Sequence, residues 1–97
     1  MFTHVVLMTF KDDAPADLAD QVVAALSGLP AEIPELKEYR IGKDLGLVEG
    51  NWDLGVVATF DNEADYRVYS TAPAHVKIVS ELVRPSVAQR AALQFES

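Results

Sequence analysis

Residues 66–76 read YRVYSTAPAHV, and this stretch decides how the second half of the chain is built. Pro73 pushes the residue before it, Ala72, out of the helical region of the backbone, so a helix that starts upstream must end there. Because proline is tolerated in the first turn of a helix, a new helix is expected to begin at Pro73. The stretch therefore predicts a broken helix whose second part carries His75 in its first turn.

The residues before the break predict a strand followed by a capped helix. Asn62 lies between two acidic residues, a favourable pattern for a helix N-terminus. Residues 52–60 precede it and are predicted to form a strand, because apolar side chains alternate along one face. That face comprises Trp52, Leu54, Val56, Ala58 and Phe60, whereas Val57 lies on the other.

The residues after the break predict the rest of the helix and a last strand. His75, Val79 and Leu82 are expected to share one stripe of the restarted helix, which ends at Arg84-Pro85. Residues 87–95 form the predicted strand. One face of this strand would hold Val87, Ala91, Leu93 and Phe95, and the other Arg90, Ala92 and Gln94.

The N-terminal strand is predicted over residues 2–10 and is apolar on both faces. A strand with one face in water alternates apolar and polar residues, so this pattern indicates a strand that is covered on both sides. His4 lies on the same face as Val6 and Met8.

A helix and a second strand follow. Residues 12–15, Asp-Asp-Ala-Pro, are interpreted as the start of an amphipathic helix of about four turns that ends at residues 27–28. Its apolar stripe comprises Leu18, Val22, Ala25, Leu26 and Leu29. Pro30 and Pro34 are expected to keep the connection out of helix, and residues 36–44 are predicted to form the second strand.

The loop over residues 45–51 is unusually apolar. Its glycines mark it as a loop, but Leu45, Leu47 and Val48 are large apolar residues. Monomeric proteins rarely expose contiguous apolar patches, so this loop either folds over its own core or takes part in an interface.

Composition limits the function classes. A chain of 97 residues has apolar material for one core, so residues 1–97 are expected to form one domain. The net charge of −7, with only eight scattered Lys and Arg residues, argues against nucleic acid and an anionic membrane surface as partners. The absence of cysteine excludes thiol catalysis. Since no membrane span or signal peptide is recognised, a cytoplasmic protein is expected.

The order of elements is strand, helix, strand, strand, broken helix, strand. This order predicts an α+β fold of the ferredoxin-like β-α-β-β-α-β type, with a four-stranded antiparallel sheet and both helices on one face. The other face would remain bare although the first strand is apolar on that side. A small chain can cover it by pairing with another copy, so we expect a homodimer packed sheet to sheet.

Four short segments resemble the stress-responsive dimeric α/β barrel family, Dabb. They are His4 to Lys11, the Ile33-Pro34-Glu35-Leu36 approach to the second strand, the 57–61 strand end, and above all Tyr69-Ser70-Thr71-Ala72-Pro73-Ala74-His75. The resemblance spans nearly the whole chain and implies a homodimer whose two sheets close into one barrel with the helices outside.

The same resemblance implies candidate site residues. The family includes a plant polyketide cyclase that performs an aldol ring closure without a cofactor, using the tyrosine and the histidine of a Tyr-x-x-x-Pro-Ala-His motif. Carried over, Tyr69 is the hydrogen-bond donor, His75 is the general base, and His4 matches a histidine of the pocket. The apolar lining expected between sheet and helices includes Val6, Met8, Leu26, Val56, Ala58 and Val79, which suits an aromatic or acyl ligand.

Two classes of function follow. In the first, the protein is a cofactor-independent enzyme of small molecules, with His75 as acid and base and Tyr69 polarising a carbonyl. In the second, it is a non-catalytic, stress-responsive or ligand-binding barrel. The chain departs from the family where Gln94-Phe95 replaces a common Asp-Phe. No cofactor or metal ion is expected. Two distant histidines without cysteine are too few for a structural zinc site, although a carboxylate could complete an open one.

Overall fold

The computed structural model describes residues 1–97. Its elements, in chain order, are β1 (Phe2–Phe10), α1 (Leu18–Ser27), α2 (Leu29–Glu32), β2 (Glu38–Lys43), β3 (Leu54–Phe60), α3 (Glu63–Thr71), α4 (Pro73–Ile78), a π-helical turn (Val79–Val83) and β4 (Val87–Glu96). The strands form one antiparallel sheet with the order β2-β3-β1-β4. The predicted ferredoxin-like α+β fold is therefore confirmed.

One face of the sheet packs against the helices and forms the core; we call it the covered face. Alternate residues of β1 and β3 point to it, and they meet the apolar stripe of α1. Its most deeply buried side chains are Leu54, Ala58 and Phe60 of β3 with Val22 and Leu29 of the helical layer. Because side chains alternate along a strand, the same two strands present their remaining residues to the opposite side.

The opposite face carries no element of this chain; we call it the open face. Leu7, Val57, Leu93 and Phe95 lie on it and are 37–60 % exposed. Large apolar side chains on adjacent strands form a contiguous patch there, which agrees with the apolar character of β1 on both sides.

The first helix starts later than predicted. It begins at Leu18 rather than within residues 12–15, and it has 10 residues, about three turns instead of four. Residues 12–17 form turns, in which the Leu18 amide donates to the Pro15 carbonyl. The carboxylate that precedes the helix, Asp17, accepts from the Gln21 side chain and caps no backbone amide.

The connection after α1 was also wrongly predicted to be free of helix. Leu29–Glu32 form the short helix α2, with Pro30 in its first turn, where a missing N–H is no loss. Pro34 does lie outside the helix. The second strand is shorter than predicted, because the Leu36 amide bonds back to Ile33 and regular pairing starts at Glu38.

The apolar loop does not fold over its own core. Leu45, Leu47 and Val48 are 82 %, 79 % and 65 % exposed, and Gly46 and Gly50 adopt the positive φ angles of a loop. The first interpretation of this loop is wrong, and its role in an interface stays a prediction. The next strand begins at Leu54 rather than at Trp52.

The break in the second helix lies where the sequence predicts it. The Asn62 side chain accepts a hydrogen bond from the Asp65 amide at the start of α3. Ala72 has the extended angles φ −60° and ψ 131°, and α4 begins at Pro73. Beyond it, the π-helical turn changes the periodicity, so Val83 rather than Leu82 becomes the buried residue.

The last strand contains a bulge that changes the face of one residue. The pairing with β1 shifts between Thr9 and Phe10, and Phe10 lies opposite Val87. The inserted residue places Val87 on the covered face, whereas simple alternation put it with Leu93 and Phe95. No helix of the structure combines the length and the apolar composition that a membrane crossing requires.

Candidate functional site

A cavity of about 550 Å³ lies between the covered face and the broken helix. It is lined by His4, Val6, Met8, Leu26, Val56, Tyr66, Tyr69, Ser70, His75, Val79, Val83, Arg84, Val87 and Arg90. The structure thus brings His4, Tyr69 and His75 together at one site. Ala58 does not line the cavity, contrary to the sequence prediction, because it is fully buried opposite His4 in the sheet.

His75 is positioned by the helix break. Its Nδ1 lies 3.3 Å from the backbone carbonyl oxygen of Ser70, in the last turn of α3, and its ring lies 4.2 Å from that of Tyr69. A carbonyl only accepts, so this hydrogen bond forms when Nδ1 carries the proton. In the neutral ring, Nε2 is then unprotonated and can accept a proton.

Burial lowers the pKa of His75 below the ordinary value of 6.5. The hydrogen bond to Ser70 opposes this change, while the positive charge of Arg90 adds to it. The group is therefore in its neutral form at pH 7, the form that a general base needs.

His4 has the opposite arrangement. The Gln94 amide nitrogen donates to its Nδ1 over 2.7 Å, so the proton of the neutral ring is on Nε2. Burial, followed by the charges of Arg90 and His75, lowers the pKa of His4 to about 4. His4 therefore offers a hydrogen-bond donor at neutral pH, whereas His75 offers an acceptor.

The Tyr69 hydroxyl lies 2.9 Å from that of Tyr39, and either oxygen can donate. When Tyr39 donates, Tyr69 retains its own proton for a ligand. Burial is the main cause that raises the pKa of both tyrosines, so both are neutral hydrogen-bonding groups at physiological pH. Tyr69 is also held by Phe60, whose ring centroid is 5.4 Å away.

Several lining residues were not identified from the sequence. Tyr66 stacks on Phe2, with ring centroids 5.1 Å apart, and lies 4.9 Å from the His4 ring. The others are Ser70, Val83, Arg84, Val87 and Arg90. The alternation of β4 did group Arg90 with Gln94, but nothing in the sequence assigned that group to the covered face.

The fully buried polar side-chain atoms are satisfied within the chain. No buried side-chain nitrogen or oxygen lacks a hydrogen-bond partner. No three His, Cys, Asp or Glu side chains come together in a way that could hold a metal ion. The arrangement can therefore bind an apolar molecule and exchange a proton with it through two neutral imidazoles and a phenol.

Comparison with known families agrees with this architecture. The model of the Stress responsive A/B Barrel Domain, Dabb, matches residues 2–97. The chain belongs to the Dabb family. No match to this Dabb chain is found among curated proteins.

Solved structures extend the comparison. A dimeric ferredoxin-like protein of unknown function from Thermobifida fusca is 43 % identical, with a TM-score of 0.90 over 99 % of this chain and 90 % of that one. One from Bacteroides fragilis, also described as dimeric, is 25 % identical, with a TM-score of 0.83 over 99 % and 95 %. The hydroxynitrile lyase from Passiflora edulis shares the fold at 23 % identity, with a TM-score of 0.81 over 97 % and 90 %.

Proposed function

We propose that this Dabb chain forms a homodimer in which two open faces pack together and close an α/β barrel. The exposed apolar patch of Leu7, Val57, Leu93 and Phe95 supports this assembly, because water is a poor environment for such a surface. The Thermobifida fusca protein, described as dimeric, supports it independently. The apolar loop over residues 45–48 would add to the buried surface.

The dimer binds an aromatic or acyl small molecule and performs cofactor-independent acid and base chemistry on it, of the polyketide cyclase type. One observation carries this proposal: His4, Tyr69 and His75, which are distant in sequence, line the same cavity of about 550 Å³. A pocket of this size with a mostly apolar lining suits a small organic ligand.

The proposed ring closure needs no oxidant or reductant. His75 Nε2 takes a proton from the carbon beside a ligand carbonyl, and the electron pair of that C–H bond moves to the carbonyl oxygen. Tyr69 donates a hydrogen bond to the developing enolate, and His4 Nε2–H supplies a second donor. The enolate carbon then forms a bond to another carbonyl of the same ligand, and the proton on His75 passes to the alkoxide.

The test measures ring closure of a series of poly-β-keto thioesters with and without the protein. The ring-closed product has the same mass as its thioester, so the two are separated by liquid chromatography before mass spectrometry. His75→Ala is expected to lower the rate about 100-fold or more, as removal of a general base does, and Tyr69→Phe about 10-fold or more. Both variants should keep the mass of the dimer in light scattering. If every thioester that the wild type converts is converted equally by His75→Ala, the assignment of the base is wrong.

A second candidate is a non-catalytic ligand-binding barrel. It is favoured by the fact that the Tyr69 hydroxyl already bonds to Tyr39 and Nδ1 of His4 to Gln94, so these two groups have structural partners without a ligand. In that case thioesters bind to the wild type and to His75→Ala with equal affinity, and neither protein converts them.

A further inference from the structure

Two arginines line the cavity and have no acidic partner. Arg84 follows the π-helical turn and Arg90 lies in β4. The ion pairs of the chain are Lys37–Asp61, Lys43–Asp20 and Arg67–Glu63, so neither cavity arginine belongs to one. No Asp or Glu is among the lining residues.

This charge distribution is opposite to that of the whole chain. There are 15 Asp and Glu residues against eight Lys and Arg, which gives a net charge of −7. Acidic residues nevertheless avoid the cavity, and both of its permanently charged side chains are cationic. The cavity is therefore a local positive region within a negative protein, which attracts an anion and repels a cation.

The positive charge acts on the reacting groups themselves. Arg90 lines the same cavity as both histidines, and its positive charge contributes to the lowered pKa of His4 and of His75. An anion held by that guanidinium would consequently lie in the same cavity as the histidines.

We propose that the ligand of this cavity is an organic carboxylate with an aromatic or acyl skeleton, and that Arg84 and Arg90 bind its carboxylate group. The proposal rests on the proposed function in one respect, that this cavity is the ligand site. A planar guanidinium matches a carboxylate with two parallel N–H donors, and such charge-assisted hydrogen bonds are stronger than neutral ones. The apolar lining, which includes Val6, Met8 and Val79, would hold the skeleton.

The test compares two probes with the same skeleton, 4-phenylbutanoate and its neutral amide 4-phenylbutanamide, by calorimetric titration of the full chain. The wild type is expected to bind the carboxylate about 10- to 100-fold more tightly, the range that charged hydrogen bonds provide. In the double variant Arg84→Met with Arg90→Met, the two affinities should become equal. Arg67→Met, which removes one positive charge outside the cavity, should keep the preference.

A second measurement uses only the wild type, so its result does not depend on whether a variant folds. The affinity of the wild type for 4-phenylbutanoate should fall as salt is raised, while that for the amide should not. Equal binding of both probes by the wild type, or a preference that survives in the double variant, would overturn the proposal.

The outcome separates this inference from the proposed function. If both probes bind equally and Val79→Trp, which fills the cavity, abolishes binding of both, the cavity is the ligand site and only the anion preference is wrong. If neither probe binds to the wild type at millimolar concentration, the carboxylate proposal and the ligand-binding role of the cavity both fail.

Discussion

The two faces of the sheet are built from the same strands but have different environments. On the covered face, Phe60 is fully buried beneath the helices; on the open face, Phe95 is 44 % exposed although it has the same side chain. The side chains with shifted pKa values, His4, His75, Tyr39 and Tyr69, all belong to the covered side. The covered face therefore combines the core with the candidate site, whereas the open face has the character of an interface.

The difference shows how one short sheet can carry a candidate site on one face and a surface with the character of an interface on the other. Because neighbouring residues of a strand point to opposite sides, Val56 can line the cavity while Val57 contributes to the open patch.

The first prediction compares the two phenylalanines. Phe60→Ala should lower the free energy of unfolding by about 3–5 kcal/mol, because it removes a fully buried ring and leaves a cavity. Phe95→Ala should cost the isolated chain much less and should act mainly by weakening the dimer. Urea unfolding and light scattering on dilution distinguish the two effects. The two faces would not differ as described if Phe95→Ala destabilised the fold equally and left the dimer intact.

The second prediction places a charge on the open face. Leu93→Glu should weaken the dimer by about 3 kcal/mol, roughly 100-fold, because the carboxylate would be buried without a partner. The chain itself should stay folded, since Leu93 is 60 % exposed in it.

A matched control is available on α3. Val68 is 45 % exposed on the helical layer, so Val68→Glu should leave the dimer unchanged. Light scattering at micromolar concentration measures both variants. Loss of the dimer in both, or in neither, would contradict an interface on the open face.

The third prediction concerns pH. The imidazole of His4 has a pKa of 6.5 in the unfolded chain and about 4 in the folded one, so the unfolded state binds more protons between these values. The contribution of neutral His4 to the stability of the folded chain is therefore fully present above pH 6.5. It is lost as the pH falls, so the free energy of unfolding should decrease towards pH 4. Thermal unfolding at a series of pH values measures this slope.

Two variants test the assignment to His4. His4→Leu should reduce the slope, leaving the part that comes from His75, whose pKa is also lowered. Gln94→Glu places a carboxylate against Nδ1 of His4, raises the pKa of His4 and should also reduce the slope. An unchanged slope in both variants would show that His4 does not cause the pH dependence.

Local structure was predicted correctly where one or two residues dictate the backbone conformation. Asn62 caps α3 and Pro73 breaks the helix because a side-chain acceptor and a locked φ act within their own turn. The same reasoning was wrong at Asp12, where no helix begins, and at Pro30, which lies in the first turn of α2. A carboxylate before a helix does not have to cap it, and a proline in a first turn does not prevent a helix.

The site was predicted only in part for a different reason. The Tyr-x-x-x-Pro-Ala-His segment indicated Tyr69 and His75, but the partners that set their chemistry come from distant strands. Tyr39 lies 30 residues from Tyr69, and Gln94 lies 90 residues from His4. No spacing along the chain shows such pairs, because strand pairing and helix packing bring them together.

Sequence patterns alone predict the order of the four strands and the two main helical regions, the break before Pro73, and the alternation that separates Phe60 from Val57. These features depend on neighbours in the chain. Three-dimensional packing was needed to show which face of β4 is covered and which residue the bulge turns inward. It also showed that Arg84 and Arg90 line one cavity together with two histidines. Those features depend on the π-helical turn and on strand register. In a strand, a shift of a single residue exchanges one face for the other.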